Sequence, residues 1–483
     1  MKNIFAILLM FVVLFSACDD YLEEKPSKTN QQEIESTNDI NLLLDNTKDL
    51  FNSGHVISDV SFTTISDDIQ FHDNVYAAFS TWIPYEQVQS YAWQDEIMAV
   101  SDESWTKSYK HIWLANYIIN NVDGLEGSDE EKANLKAEAH LIKAYKLLAL
   151  AMKHCLYPSS ANASELGLPL KATTEFEELP ARSNLDDTFL EIEANIIEGL
   201  KINKERTDSW RESKSSAAAL AARFYMYVHD FVNAKKYAQQ ALSLWDRMVN
   251  METEITINKK FGLYDVPSTG DISTFSNAFY SAWESQYKLY VVEDYNLYPS
   301  SDLIASYEAT DIRSKFYTQW YLNLYFGLTE NNYIYNKFNG AVSTGPDVAE
   351  MYYILAECAG REGDYATCMQ NVEAVRVNRY AAADYMAMPL PASVKEAVQL
   401  VVDERRREFP FTSSRWSDIK RLNAEGLLDP ITLSRDFYAL QDGNVNFAAP
   451  QTYTLEPNSR KYARPLPNEV INLTDGKVEQ NTY

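Results

Sequence analysis

Along residues 102–124 the residues Trp105, Tyr109, Ile112, Trp113, Asn116 and Ile119 recur three or four apart. That spacing puts them on one face of an α-helix. Asp102 is placed to cap it and Gly124 to stop it. A second helix, rich in Ala and Leu, is predicted from about Glu130 to just before Pro158. A further pair follows in "NLDDTFLEIEANIIEGLK" and "SKSSAAALAARFYMYVHD". Near His229–Asp230 one helix ends, and the next begins at Phe231 or Val232. The plan recurs in "DVAEMYYILAECAGREGDYATCMQNVEAVRVNRY", as helix, the turn Glu362-Gly363-Asp364, and helix. Helical-hairpin elements are therefore expected near 102–155, 185–247, 347–380 and 393–421.

Alanines at close-approach positions with aromatics in the gaps resemble tetratricopeptide hairpins, although the repeats are not contiguous. Between them lie Tyr- and Trp-rich stretches of weaker periodicity, near 55–100, 251–345 and 422–483. Within these, "FYTQWYLNLYFGLTENNYIYNKF" alternates enough to predict a short hairpin around Gly327–Asn332. Long irregular segments so rich in rings read as an ordered, function-bearing lobe. The fold class expected is mainly α: a helical-hairpin scaffold with a loop-rich lobe and a few short strands.

The first residues change the picture of where this fold sits. Lys2 precedes an apolar run from Ile4 to Phe15, followed by Ser16, Ala17 and Cys18. The run is short for a bilayer span and has the flanks of a secretory signal. A cysteine just after two small residues is the arrangement of a lipoprotein cleavage site, where the thiol is acylated. The chain is accordingly divided into a signal peptide (1–17), a lipidated tether (18–40) and one domain (41–483). Cys155, Cys358 and Cys368 then remain, an odd number that makes no disulfide framework. Buried free thiols are expected, with a Cys358–Cys368 pair the alternative.

Of 483 residues, 46% are hydrophobic and 23% charged, a globular composition. The formal net charge of -26 repels nucleic acid and anionic lipid headgroups. Against that background "ERRREFPFTSSRWSDIKR" (404–421) holds six basic residues. Glu404, Glu408 and Asp418 interleave with Arg405, Arg407 and Arg415. Guanidinium–carboxylate forks, with arginine stacked on Trp416, are expected to lock the terminal helices to the scaffold. No Gly-rich phosphate loop, His-Glu-x-x-His or Gly-x-Ser-x-Gly occurs. Asp67, Asp68, His72 and Asp73 have the donor types of a cation site, but irregular loop spacing favours solvated side chains. No metal and no cofactor is expected.

Several separated stretches carry one resemblance. After Cys18 comes "DDYLEEKP"; then "SWTKSYKHIWLANYII", "AEAHLIKAY" and "LGLPL"; then "LAECAGREGDYATCMQNVEAVRVNR", the basic stretch at 404–421, and "ARPLPNEVINLTDGKVEQNTY". In order and spacing the chain resembles the SusD/RagB family of outer-membrane nutrient-binding lipoproteins. It departs from the family pattern at Lys143, where arginine is usual, and at Thr412-Ser413, which replace a Glu-Gly turn. The resemblance implies a non-enzymatic protein, lipid-anchored at the cell surface beside a SusC-like TonB-dependent barrel. Its tetratricopeptide side would face the barrel, and its irregular lobe would take an oligosaccharide or, in some members, a peptide. A lipid-anchored hydrolase and a tetratricopeptide adaptor are the rival classes.

Capturing sugar rings requires flat apolar faces plus a few amides or carboxylates for hydroxyls. In the loop-rich lobe the rings on offer are Trp82, Tyr85, Trp283, Tyr287, Tyr290, Tyr295 and Trp320. Asp68, Gln70, Asn74 and Glu284 are the polar candidates, while Trp93 reads as core.

Overall fold

The computed structural model describes residues 34–45, 62–98, 102–175, 180–260, 264–268, 287–288, 290–293, 297–318, 327, 333–335 and 341–483. The protein is mainly helical, with short strands in two-stranded antiparallel pairs among the described residues. Its principal helices are α1 (Thr37–Leu44), α2 (Asp73–Phe79), α3 (Tyr85–Tyr91), α4 (Glu103–Asn121), α5 (Asp129–His154) and α6 (Leu185–Gly199). They continue with α7 (Lys214–Tyr227), α8 (Phe231–Leu244), α9 (Val348–Arg361), α10 (Tyr365–Arg376), α11 (Val394–Glu408) and α12 (Ser413–Glu425).

Caps mark the boundaries. The Asp102 carboxylate accepts from the amides of Ser104 and Trp105 at the start of α4, and Ser128 accepts from Glu131 at the start of α5. These bonds satisfy helix N–H groups that have no partner within the helix. α4 packs on α5, α5 on α6, α7 on α8, α8 on α9, and α9 on both α10 and α11. Alanines make the close approaches: Ala217, Ala218, Ala221 and Ala222 on α7 and Ala234, Ala238 and Ala241 on α8 are all buried.

The two hairpins α7–α8 and α9–α10 close with the same turn. His229 and Gly363 each take a left-handed backbone conformation, at φ 64 and 80. Asp230 and Asp364 follow with identical angles, φ -85 and ψ 76, and cap the next helix. The shared turn is the geometric counterpart of the repeat seen in "VHD" and "EGD". Cys155, Cys358 and Cys368 are free and buried. The Tyr317–Thr318 strand pairs antiparallel with Ile334–Tyr335, while the turn expected around Gly327–Asn332 lies, except for Gly327, outside the described residues.

The arginine-rich stretch occupies α11, α12 and the turn between them. Arg405 donates to Asp418 at 2.9 Å, and Arg421 bridges Asp418 (2.8 Å) and Glu357 of α9 (2.7 Å). Glu404 takes Arg376 of α10 at 2.5 Å and Arg407 at 2.8 Å. Arg313 holds Asp311, Glu404 and Glu408 together at 2.7, 3.1 and 3.0 Å. Apart from the half-buried Arg407 these groups are almost wholly buried, so each charge requires its partners. One expectation needs correction. Trp416 is fully buried against the Tyr462 ring at 4.9 Å rather than against a guanidinium, while the fork of Arg415 beside it in the chain is turned to the Asp67 carboxylate. At the altered turn Phe411 is left-handed (φ 64), and Thr412 caps α12 by accepting from Ser414 N.

Candidate functional site

The segment before α2 is fixed from the arginine-rich turn. Arg415 places Nε and Nη2 on the two carboxylate oxygens of Asp67, both at 2.7 Å. Arg406 reaches Asp68 at 2.9 Å, and Phe411 N donates to the same carboxylate at 3.3 Å. Burial would raise the Asp67 carboxyl, but Arg415 and Arg406 override it and hold it well below the usual carboxylate range. Asp67 and Asp68, two of the three acids offered by the sequence as cation ligands, are thus engaged by arginines. Among the described residues no group of three His, Cys, Asp or Glu side chains is arranged to hold a metal ion.

A third arginine fastens the far wall. Residues Leu433–Gln441 and Asn444–Leu455 form a long antiparallel hairpin in a segment read from sequence as irregular. Its turn is Asp442-Gly443, with φ 51 and 75, the left-handed pair that suits the twist of a two-residue hairpin. On the first strand Arg435 is buried and donates Nη1 to Thr64 O (2.8 Å) and Tyr91 O (2.5 Å), and Nη2 to Ser66 O. Its guanidinium lies 4.1 Å from the Tyr91 ring and 4.3 Å from the Trp93 ring. Burial lowers its pKa to about 10. One side chain therefore joins the hairpin, the end of α3 and residues 64–66.

Rings run outward from this junction. Phe71 packs on Tyr91 (4.5 Å) and Tyr76 (6.1 Å), and Tyr76 packs on Phe437 (5.0 Å) and Phe447 (5.8 Å). Tyr438 lies 5.1 Å from Phe447. Phe71 and Phe437 are core, whereas Phe447 is 49% exposed. Tyr85 opens α3 half-buried, with its pKa raised by burial and then by the Asp442 carboxylate at the hairpin tip. Trp82, on the loop between α2 and α3, is 61% exposed, and Met98 stands exposed beside the tip at Gly443. Trp82 thus keeps, on a loop whose neighbouring segments are anchored by arginines, the exposure that a ligand-facing ring requires.

The remaining sequence candidates divide. Asn74 is exposed on α2, its Oδ1 accepting from Val75 N; half-buried Gln70 accepts from Ser301 N. Tyr287, Tyr290 and Asp68 are corrections, for they are 0%, 1% and 0% exposed. Tyr287 donates to Trp245 O at 2.7 Å, and Tyr290 stacks on Tyr145 at 3.6 Å with Lys146 and Lys288 over its ring. Rings enclosed in that way have no face left for a ligand. Trp283, Glu284, Tyr295 and Trp320 lie outside the described residues, as does Cys18. Sequence reasoning missed Phe447, Tyr438 and Met98. The Asp-Gly pair within alternating sequence was the signal that could have found the hairpin carrying two of them.

Comparison with known proteins places this architecture. Residues 20–226 match a SusD-like family model described as starch-binding and associating with the outer membrane, and residues 317–483 match the SusD family model. No curated protein matches the chain significantly in sequence. Among solved structures, a SusD superfamily protein of Bacteroides thetaiotaomicron aligns with TM-score 0.65 at 15% identity, over 93% of this chain and 100% of its own. A putative sugar binding protein of Bacteroides vulgatus aligns with TM-score 0.63 at 16% identity, over 93% and 99%. A laminarin binding SusD-like protein aligns with TM-score 0.59 at 14% identity, over 92% and 99%. With family models matched toward both ends and the same fold running through 93% of its length, the chain belongs to the SusD/RagB family.

Proposed function

We propose that the protein is a surface lipoprotein, acylated at Cys18, that binds an oligosaccharide on the aromatic face around Trp82 and delivers it to a SusC-like TonB-dependent barrel. The observation that carries the binding reading is the exposure of Trp82 beside Tyr85, on a loop whose flanking segments are tied down by Arg406, Arg415 and Arg435. Sugar rings present C–H faces to such indoles, and amides and carboxylates take their hydroxyls; Asp73 and Asn74 at the start of α2 and Asp442, whose charge acts on Tyr85, are the candidates. Trp283, Tyr295, Trp320 and Glu284 remain candidates from the sequence alone. The family description as starch-binding supports a glycan over a peptide cargo.

Affinity electrophoresis of the mature protein through gels containing different polysaccharides tests this. Retardation by at least one glycan, lost in Trp82→Ala, is expected. Binding to peptide pools and to no glycan would overturn the cargo, and new reducing ends after incubation would make the protein a hydrolase. For the anchor, Cys18→Ala is expected to move the protein from the membrane to the soluble fraction. Retention with continued lipid labelling would refute acylation at that residue.

A further inference from the structure

The two segments that carry the exposed rings are nearly free of positive charge. Residues 62–98 contain no lysine or arginine, and residues 433–455 contain only Arg435, in a chain that has 43 such residues. In the sequence the first cation-free run extends from 49 to 106. The cations that reach these segments are already committed. Arg406 and Arg415 hold Asp68 and Asp67, and Arg435 donates to buried carbonyls. Arg464 donates to Gln94 O at 2.9 Å, and Lys461 pairs with Asp95 at 2.6 Å.

Carboxylates, by contrast, stand beside the rings. Asp442 at the hairpin tip acts on Tyr85, and Asp73 acts on Tyr438. Asp436 lies two residues before Tyr438 on the same strand, so the two share a face, and it accepts from Thr452 Oγ1 at 2.6 Å. Asp73 opens α2, where the helix N-terminus offsets its charge. Asp436 and Asp442 belong to no helix, and neither is paired with a cation among the described residues.

We propose that Asp436 and Asp442 make this face selective against anionic sugars, so that its cargo is a glycan of uncharged units and chains of uronate or sulfated residues are turned away. The inference rests on the reading of the Trp82 face as the ligand site. Recognition of a carboxylate or sulfate calls for an arginine fork or a lysine with bonds to spare. Here an anionic sugar meets like charges and no counter-charge, and within about 8 Å such charges still repel at physiological salt. The hydroxyls of a neutral sugar meet no such cost, because a carboxylate accepts from them.

The test measures equilibrium binding of the mature, full-length protein to amylopectin, laminarin and galactomannan. Whichever binds is then compared in two derivatives of one backbone, carboxymethylated and hydroxyethylated, which are similar in bulk and differ in charge. At low salt the carboxymethyl form is expected to bind at least about tenfold more weakly, and the gap should close at about 1 M salt, where the Debye length is about 3 Å. Asp436→Lys should narrow the low-salt gap severalfold. Asp442→Asn, which keeps the turn because Asn-Gly suits it equally, should narrow it less and in the same direction. Asp384→Lys makes the same change of net charge on the exposed loop after α10 and should leave the gap nearly as it was. Equal binding of the two derivatives, a gap that persists in salt, or a gap unmoved by both variants would overturn the selectivity and leave the Trp82 face as a glycan site. So would an Asp384→Lys effect as large as that of Asp436→Lys. Binding to polygalacturonate, alginate or chondroitin sulfate and to no neutral glycan would overturn it in the same way. Binding to no glycan at all would overturn it together with the reading on which it rests.

Discussion

Arg415 and Asp67, 348 residues apart in the chain, face each other fork to fork, with Nε and Nη2 each 2.7 Å from a carboxylate oxygen. The pair joins α12 to the segment that leads into α2 and the Trp82 loop. Arg415→Leu would strand a largely buried carboxylate beside Asp68. A loss of about 2–4 kcal/mol is expected, below the full range for a buried pair because Asp67 is partly exposed. Urea unfolding measures it. Asp67→Asn/Arg415→Leu together should cost less than the sum of the singles.

Acid should dismantle the same lattice. Burial would raise Glu357, but Arg421 and Arg361 draw it down to about 2; Glu404 likewise falls to about 2 under Arg313, Arg407 and Arg376. Folded-state values below the unfolded one mean that this stability is fully present above about pH 4.5. It is lost progressively as pH falls toward 2. Each residue contributes about 3 kcal/mol at neutral pH. The thermal midpoint should therefore be flat on this account from pH 7 to about 5 and fall steeply below. Glu357→Gln should lower the plateau and make the acid limb shallower, as followed by circular dichroism.

Trp82 and Tyr287 were equal candidates on paper and are opposite in the structure, at 61% and 0% exposure. Trp82→Ala should weaken glycan binding at least about tenfold while leaving the thermal midpoint within a few degrees. Tyr287→Ala should instead cost about 3–5 kcal/mol, because it opens a cavity and removes the hydrogen bond to Trp245 O. Calorimetric titration alongside thermal melts separates the two. Equal stability losses would remove Trp82 from the ligand face.

What could be read in advance follows from which interactions are local. Helix periodicity, the Asp102 cap and the His229 and Gly363 turns are set by residues within a few positions of each other, and the sequence shows them directly. Arg405, Arg407 and Arg415 interleaved with Glu404, Glu408 and Asp418 already implied ion pairs, because buried charges need partners. Which acid meets which arginine depends on contacts such as Arg406 with Asp68, hundreds of residues apart, and no spacing encodes those. The same limit governs the aromatics. Tyr290 and Tyr85 have similar sequence surroundings, and only the Tyr145 ring stacked on the former marks it as core. Phe447 stayed hidden because its value as a surface ring comes from Tyr76 and Tyr438 across the fold.

Arg435 makes the last prediction, since it joins the hairpin wall to the base of α3 by donating to Thr64 O, Tyr91 O and Ser66 O. Lysine keeps the charge but is a flexible point donor without the planar fork, and it stacks less well on Tyr91 and Trp93. Arg435→Lys should cost about 2–4 kcal/mol through lost charge-assisted bonds to buried carbonyls. Its second effect should reach Phe447, which is carried on the same hairpin and packs on Tyr76. With the wall loosened, glycan affinity should fall severalfold at a temperature where the variant is still folded, and hydrogen exchange should rise in 433–455 before it rises in α5. A variant that loses stability but binds glycan as tightly as the parent would show that the hairpin is no part of the ligand face.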